Sequence, residues 1–198
     1  DIEIRIFDGE DAGGNEIGKG LLFFLPRITF YADVLPQERY QVAGGGFETG
    51  ITPGFNMRWI MPRVYNGSSF VYADDALPYM EQRINGIYND GRTLKALNFR
   101  INISTDIARL DSGSAQSSVS VVKNGSGYSA EVSGYGNTAK VKAKDSNGYL
   151  AFDLRGRKDF ESPVPQQENE YQLIHPDVVP GTVYYMNIKP VFLDAQDK

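Results

Sequence analysis

The chain contains no cysteine and a single histidine, His175, among its 198 residues. The lack of cysteine excludes a disulfide framework, a thiol nucleophile and a cysteine-ligated zinc site. A Ser-His-Asp triad would have to use His175, which precedes Pro176 in a predicted turn. We therefore expect His175 to be a surface or edge residue, and we assign no catalytic residue from the sequence.

Positive charge and long apolar runs are also scarce. The formal net charge is −5, so no basic surplus exists to neutralise phosphates, and we expect neither nucleic acid nor anionic membrane as a partner. The longest apolar run, residues 21–25, is far shorter than the roughly 20 residues of a transmembrane helix. Because the first residue is Asp1 rather than Met, we expect a processed product, such as a secreted protein, or an excised domain.

Glycine, proline and tyrosine are abundant, with 21, 10 and 12 residues respectively. Glycine and proline interrupt helices, whereas tyrosine favours half-buried strands. The clearest region has four short apolar runs separated by turn residues, at 118–123, 128–132, 139–144 and 149–154. Asn-Gly between alternating runs is a strong hairpin signal, so we predict a meander of about four strands there.

Residues 178–189 read VVPGTVYYMNIK. After the turn pair Pro180-Gly181, apolar residues alternate along a predicted strand from Thr182. The order of an apolar residue, Pro-Gly-Thr and then tyrosine resembles the penultimate strand of fibronectin type III-like domains, a fold also used by secreted bacterial β-sandwich domains. The resemblance implies a sandwich fold and one further strand, and it implies no chemistry.

Only nine residues, 190–198, follow this stretch, which is too few for a full partner strand. We therefore expect one edge of the sheet to lack a neighbour and to accept a strand from another subunit, as in a homo-oligomer, or from a continuation of the chain. The alternative is that Lys189 and Pro190 protect this edge from such pairing.

Residues 76–88 are the one stretch with apolar residues at helical spacing, and Asp74 or Asp75 could cap this helix. The rest of the chain has the pattern of strands and turns. We therefore predict an all-β fold, an antiparallel β-sandwich of the immunoglobulin or fibronectin type or a jelly roll, with at most this one short helix. We expect a single domain over residues 1–198, with a possible subdivision near 105–118.

Aromatic and polar residues crowd into the segment 59–88. Sugar rings stack on flat aromatic faces while their hydroxyls pair with amides and carboxylates, so this segment is a candidate ligand site. The candidate residues are Trp59, Tyr65, Tyr72, Asp74, Asp75, Tyr79 and Tyr88. The alternative is ordinary core packing. We favour core packing for Trp59, because Met57, Trp59 and Met61 alternate on the side expected to face inwards.

A loop at residues 8–16 carries several potential oxygen ligands. They are Asp8, Glu10, Asp11, Asn15 and Glu16. Calcium takes six to eight oxygens from flexible acidic loops, so we predict a possible Ca²⁺ site and no other cofactor. The spacing does not match the EF-hand, and a solvated acidic turn is the alternative.

These features favour a non-enzymatic extracellular binding or structural module. It would be an adhesin, a glycan-binding domain, or a subunit of a surface appendage or virion, with a glycan or a protein on a surface as its partner. The alternative is a polysaccharide hydrolase that uses two carboxylates about 5–10 Å apart. No motif selects such a pair, and no nucleophile-elbow, P-loop or dinucleotide motif is present.

Overall fold

The computed structural model describes residues 2–8, 13–22, 27–35, 38–41, 47–51, 54–89, 91–144, 146–156, 170–179 and 181–194. In chain order its elements are β1 (Ile2–Phe7), β2 (Glu16–Leu22), β3 (Phe30–Leu35), β4 (Glu38–Gln41), β5 (Phe47–Ile51), β6 (Gly54–Ile60), β7 (Arg63–Tyr65), β8 (Phe70–Tyr72), α1 (Leu77–Tyr88), β9 (Leu94–Ser104), α2 (Ile107–Asp111), β10 (Ser117–Asn124), β11 (Gly127–Val132), β12 (Thr138–Lys144), β13 (Tyr149–Arg155), β14 (Gln172–Ile174) and β15 (Tyr185–Asp194). The described part is mostly strand, so the predicted all-β class is confirmed. The one-turn helix α2 was not predicted.

The chain divides into two compact units. The first comprises Asp1–Arg27, Pro62–Leu97 and Phe192–Lys198, and the second comprises Ile28–Met61 and Asn98–Val191. Residues 105–118, which the sequence offered as a possible subdivision, lie within the second unit.

The first unit contains two short antiparallel ribbons, β1–β2 and β7–β8, together with α1. The predicted helix is confirmed, with Pro78 in its first turn and Leu77, Met80 and Ile87 buried. The predicted cap is wrong: the N-cap is Ala76, and no side chain caps the helix. The backbone N–H of Asp75 instead donates to the carbonyl of Tyr72, which places both aspartates in the turn before the helix.

Most of a nine-stranded sheet lies in the second unit, with the strand order β15-β9-β10-β11-β12-β13-β6-β3. The first residues of β9, 94–97, and the last residues of β15, 192–194, are assigned to the first unit. From β9 through to β3, each strand of this order pairs antiparallel with its neighbour. The short strand β14 pairs with β13 in parallel. The predicted meander is confirmed as β10–β13. A separate two-stranded ribbon, β4–β5, precedes β6.

This sheet curls strongly. Trp59 on β6 packs edge-to-face against Phe99 on β9 with ring centroids 5.6 Å apart, although four strands separate β6 from β9 in the sheet order. Phe55 on β6 likewise meets Tyr184, which directly precedes β15, at 6.1 Å. The curl encloses an apolar core and leaves β3 and β15 as the two ends of the sheet. The arrangement of two facing layers in a sandwich stays a prediction.

The core of the second unit follows the strand alternation. Its fully buried members include Met57, Trp59, Phe99, Ile101, Ile103, Val119, Val121, Phe152 and Leu154. The expectation that Met57, Trp59 and Met61 face inwards is therefore confirmed. Each large apolar side chain removed from water in this way contributes about 1.5–3 kcal/mol to folding.

Candidate functional site

One face of the β7–β8 ribbon carries two cross-strand pairs. Tyr65 lies opposite Phe70 with ring centroids 5.6 Å apart. Arg63 lies opposite Tyr72, with the guanidinium carbon 4.9 Å from the centroid of the tyrosine ring. Because residues two apart in a strand share a face, these four side chains form one surface, which we call the aromatic face.

The aromatic face is open to solvent. Phe70 is 68% exposed and Tyr65 is 51% exposed, whereas Val64 and Val71 on the opposite face of the ribbon are half-buried. Burying a phenylalanine side chain is worth about 1.5–3 kcal/mol, so leaving this ring in water forgoes stability. Two exposed aromatic rings in contact make this face a candidate binding site.

The turn between β7 and β8 is held by Asn66. Its Oδ1 accepts hydrogen bonds from the backbone N–H groups of Ser68 and Ser69 and from the Ser68 hydroxyl, at 3.0–3.1 Å. Gly67 adopts a φ of +94°, and a Cβ at this position would lie 3.2 Å from the ring of Tyr79. The turn therefore rests directly on α1, which fixes the ribbon that carries the aromatic face.

The predicted ligand residues lie in different places in the structure and do not form one site. Trp59 is fully buried in the core of the second unit, so the surface role considered for it is wrong. Tyr65 and Tyr72 lie on the aromatic face. Tyr79 and Asp74 are half-buried, while Asp75 and Tyr88 are exposed at the start and end of α1.

Sequence reasoning missed Phe70 and Arg63 as site residues. The signal was present in Arg63-Val64-Tyr65 and Phe70-Val71-Tyr72, two short alternating runs on either side of an Asn-Gly turn. Asn85 is one of the polar residues in this segment. Its side-chain N–H donates to the carbonyl of Arg92, and its Oδ1 accepts from the backbone N–H of Arg92, both at 2.7 Å.

The predicted calcium loop is described only in part, because Glu10 and Asp11 lie outside the described residues. Both carboxylate oxygens of Asp8 accept hydrogen bonds from Asn15, one from its backbone N–H and one from its side-chain amide. Glu16 pairs with Arg5 at 3.2 Å. Within the described ranges no cluster of three or more acidic or histidine residues is placed to hold a metal ion. Calcium binding by this loop stays a prediction.

The second unit contains a cavity of about 490 Å³ beside His175. His175 is 0% exposed, so the expectation of a surface or edge residue is wrong. Its backbone N–H donates to the carbonyl of Arg155 at the end of β13, so His175 continues the backbone pairing of β14 with β13. Burial lowers the pKa of His175, and the nearby Asp177 carboxylate opposes this shift, so the ring is neutral at pH 7.

The hydrogen bonds of His175 identify its tautomer. Nδ1 accepts from the backbone N–H of Asp177 at 3.2 Å, so the proton of the neutral ring lies on Nε2. Nε2 then donates to the hydroxyl oxygen of Ser117 at 2.8 Å. A general base would need a free lone pair on Nε2, so this pair does not activate Ser117 for nucleophilic attack.

Other polar groups around the cavity also bond to one another. The hydroxyl of Tyr184 donates to the carbonyl of Asp177 and accepts from the N–H of Val179, both at 2.8 Å. The Oε1 of Gln116 accepts from the backbone and hydroxyl of Thr105 at 2.9 Å. Asp177 is the one carboxylate among the described residues that line the cavity. These contacts occupy the polar groups of Asp177, Val179, Tyr184, Thr105 and Gln116, and they leave the aromatic face as the stronger candidate site.

Comparison of the sequence with protein families and with curated proteins, and of the structure with solved structures, found no match. Among the described residues, neither helix has the length and apolar character needed to cross a membrane. The functional argument therefore rests on the geometry of the aromatic face.

Proposed function

We propose that this chain is a non-enzymatic binding module that acts outside the cell and binds carbohydrate through the aromatic face. The observation that carries the proposal is the exposed cross-strand pair of Tyr65 and Phe70 on a ribbon whose turn is hydrogen-bonded to Asn66. The role fits an adhesin, a glycan-binding domain or a subunit of a surface appendage or virion. A fibronectin-like sandwich, as the stretch 178–189 suggests, would be a suitable scaffold.

The chemistry of the aromatic face suits a sugar ring. The flat faces of Tyr65 and Phe70 offer apolar surface for the C–H face of a pyranose. Arg63, held over the ring of Tyr72, offers N–H donors for hydroxyl groups beside that surface. Both aromatic side chains have few rotatable bonds, so ordering them on binding costs little entropy.

A glycan array tests the proposal with three proteins: the unmodified chain, Phe70→Ala and Tyr135→Ala. Tyr135 is the matched control, because it is 50% exposed in the turn between β11 and β12 and lies in the second unit. We expect Phe70→Ala to weaken binding roughly tenfold or more, equivalent to about 1.4 kcal/mol, and Tyr135→Ala to leave it unchanged. Both variants should keep the parent melting temperature.

The array also separates the alternatives. An unmodified chain that binds no glycan overturns the carbohydrate assignment, and a protein ligand for the aromatic face then becomes the better reading. The hydrolase alternative predicts release of reducing ends from bound polysaccharide. It lacks support in the described cavity, where Asp177 has no second carboxylate for the two-acid mechanism.

A further inference from the structure

The strand β15 ends the nine-stranded sheet, and within the described ranges it pairs with β9 alone. No described strand lies on its other side, where backbone N–H and C=O groups form a template for another strand. We propose that β15 accepts β1 of a second copy of this chain, so that copies join head to tail by strand addition.

The two faces of β15 are assigned by a contact with β9. The side-chain amide of Asn102 donates to Oδ1 of Asn187 at 2.8 Å, so the odd-numbered residues of β15 share the outer face of the sheet with Asn102. Met186 and Ile188 therefore lie on the inner face. They are half-buried, whereas Phe99 and Ile101 on the inner face of β9 are at most 1% exposed. The apolar inner face is thus less covered at β15 than one strand further in.

The outer face of β15 is mixed. Tyr185, Val191 and Leu193 are 39%, 36% and 39% exposed there, and they flank Asn187 and the exposed Lys189. The apolar residues toward the two ends of this face would gain cover from an added strand, whereas the charge of Lys189 opposes pairing in its middle.

The strand β1 has the properties of a donor. In the described part of the chain it pairs with β2 alone, and its isoleucines alternate with Glu3 and Arg5. Ile4 and Ile6 lie opposite Gly20 and Gly18, and they are 48% and 54% exposed. Because glycine provides no side chain beside them, both isoleucines protrude as an apolar ridge. Adding β1 to β15 would pair two open edges and cover this ridge.

The donor and acceptor strands differ, so the contact is heterologous. Repeating a heterologous contact produces a closed ring or an open filament rather than a two-fold dimer. This inference uses no residue of the aromatic face, so it stands or falls independently of carbohydrate binding. Lys189 and Pro190 limit the pairing, because Pro190 has no N–H to donate.

Sedimentation velocity over a range of protein concentrations tests the proposal on the full chain. We expect assembly with concentration, weakened roughly tenfold or more by the double substitution Ile4→Lys/Ile6→Lys. Val191→Lys should weaken it from the acceptor side. Val34→Lys on β3 is the matched control, since Val34 is 74% exposed at the opposite end of the sheet, and it should leave assembly unchanged.

Hydrogen exchange provides the second readout. Among residues 185–189, the backbone amides that point away from β9 should exchange rapidly in dilute protein and slowly in assembled protein. A peptide of residues 1–8 should both protect them and dissociate the assembly. Slow exchange of these same amides in dilute monomer, a monomer at every concentration, or assembly that survives Ile4→Lys/Ile6→Lys would each overturn the proposal. Loss of assembly in Val34→Lys alone would identify β3, and not β1, as the donor.

Discussion

The Nε2 of His175 lies 2.8 Å from the hydroxyl oxygen of Ser117 and links the segment after β14 to the start of β10. The chain's single histidine is therefore a buried structural group rather than a surface residue. Its neutral form is required by the two hydrogen bonds it makes, since Nδ1 must stay unprotonated to accept from Asp177.

This arrangement predicts a loss of stability in mild acid. Burial holds the pKa of folded His175 below the value of 6.5 that it has when unfolded, so the unfolded chain binds a proton first as the pH falls. The contribution of the neutral ring is complete above pH 6.5 and is lost as the pH falls from there toward the folded pKa. We expect the melting temperature to fall as the pH is lowered below about 6.5.

His175→Gln is the control for this pH effect, because an amide can replace one hydrogen bond without titrating. Thermal melts of both proteins across the same pH range should show a shallower slope for the variant. The rest of the chain is the same in both proteins, so the difference between the two slopes reports on the site of His175. Equal slopes in the two proteins would show that His175 does not titrate on unfolding.

Trp59 is the side chain whose removal should damage the fold most. It packs against Phe99 and Phe152 with centroids 5.6 and 6.2 Å apart, and it is 0% exposed. Trp59→Ala should cost about 3–5 kcal/mol in urea unfolding, because it leaves a large cavity.

Trp59→Phe is the informative comparison at this position. Within the described structure the indole Nε1 has no hydrogen-bond partner, so a phenylalanine also removes a buried unsatisfied donor that costs about 1–3 kcal/mol. We expect Trp59→Phe to cost far less than Trp59→Ala. Similar costs for the two variants would contradict the assignment of Trp59 to a packed core.

Gly67 should tolerate no side chain. Its φ is +94°, and a Cβ would approach the Tyr79 ring to 3.2 Å. Gly134 has a similar φ of +87° with open space around it, so Gly134→Ala measures the backbone strain alone, about 1–2 kcal/mol. Gly67→Ala should cost more than that in chemical unfolding and should also weaken ligand binding. Equal costs for the two variants would show that Tyr79 does not support the turn.

The sequence predicted the local elements well, because strand alternation and turn residues are local signals. The meander β10–β13 and the helix α1 appear close to their predicted bounds. The last strand begins at Tyr185 and not at Thr182, and the hydroxyl of Tyr184, just before the strand, bonds to the backbone of Asp177 and Val179. No local pattern encodes that contact.

The candidate site was predictable only in part. Tyr65 and Tyr72 were predicted because aromatic residues are dense in the segment 59–88. Trp59 belongs to the same segment, yet it lies in the core. The distinction depends on which strands pair, and Tyr65 shares a surface with Phe70 only through the register of β7–β8. The burial of His175 likewise follows from the parallel pairing of β14 with β13, a contact distant in the sequence.

The most direct test of carbohydrate binding is an NMR titration that follows the aromatic ¹H–¹³C signals, with a glycan selected on the array. The account predicts shifts for the rings of Tyr65 and Phe70, and upfield shifts for the ring protons of the sugar that stack on them. The rings of Tyr135 and Tyr31 should not change. Binding that perturbs neither Tyr65 nor Phe70 would contradict the proposal that the aromatic face is the site.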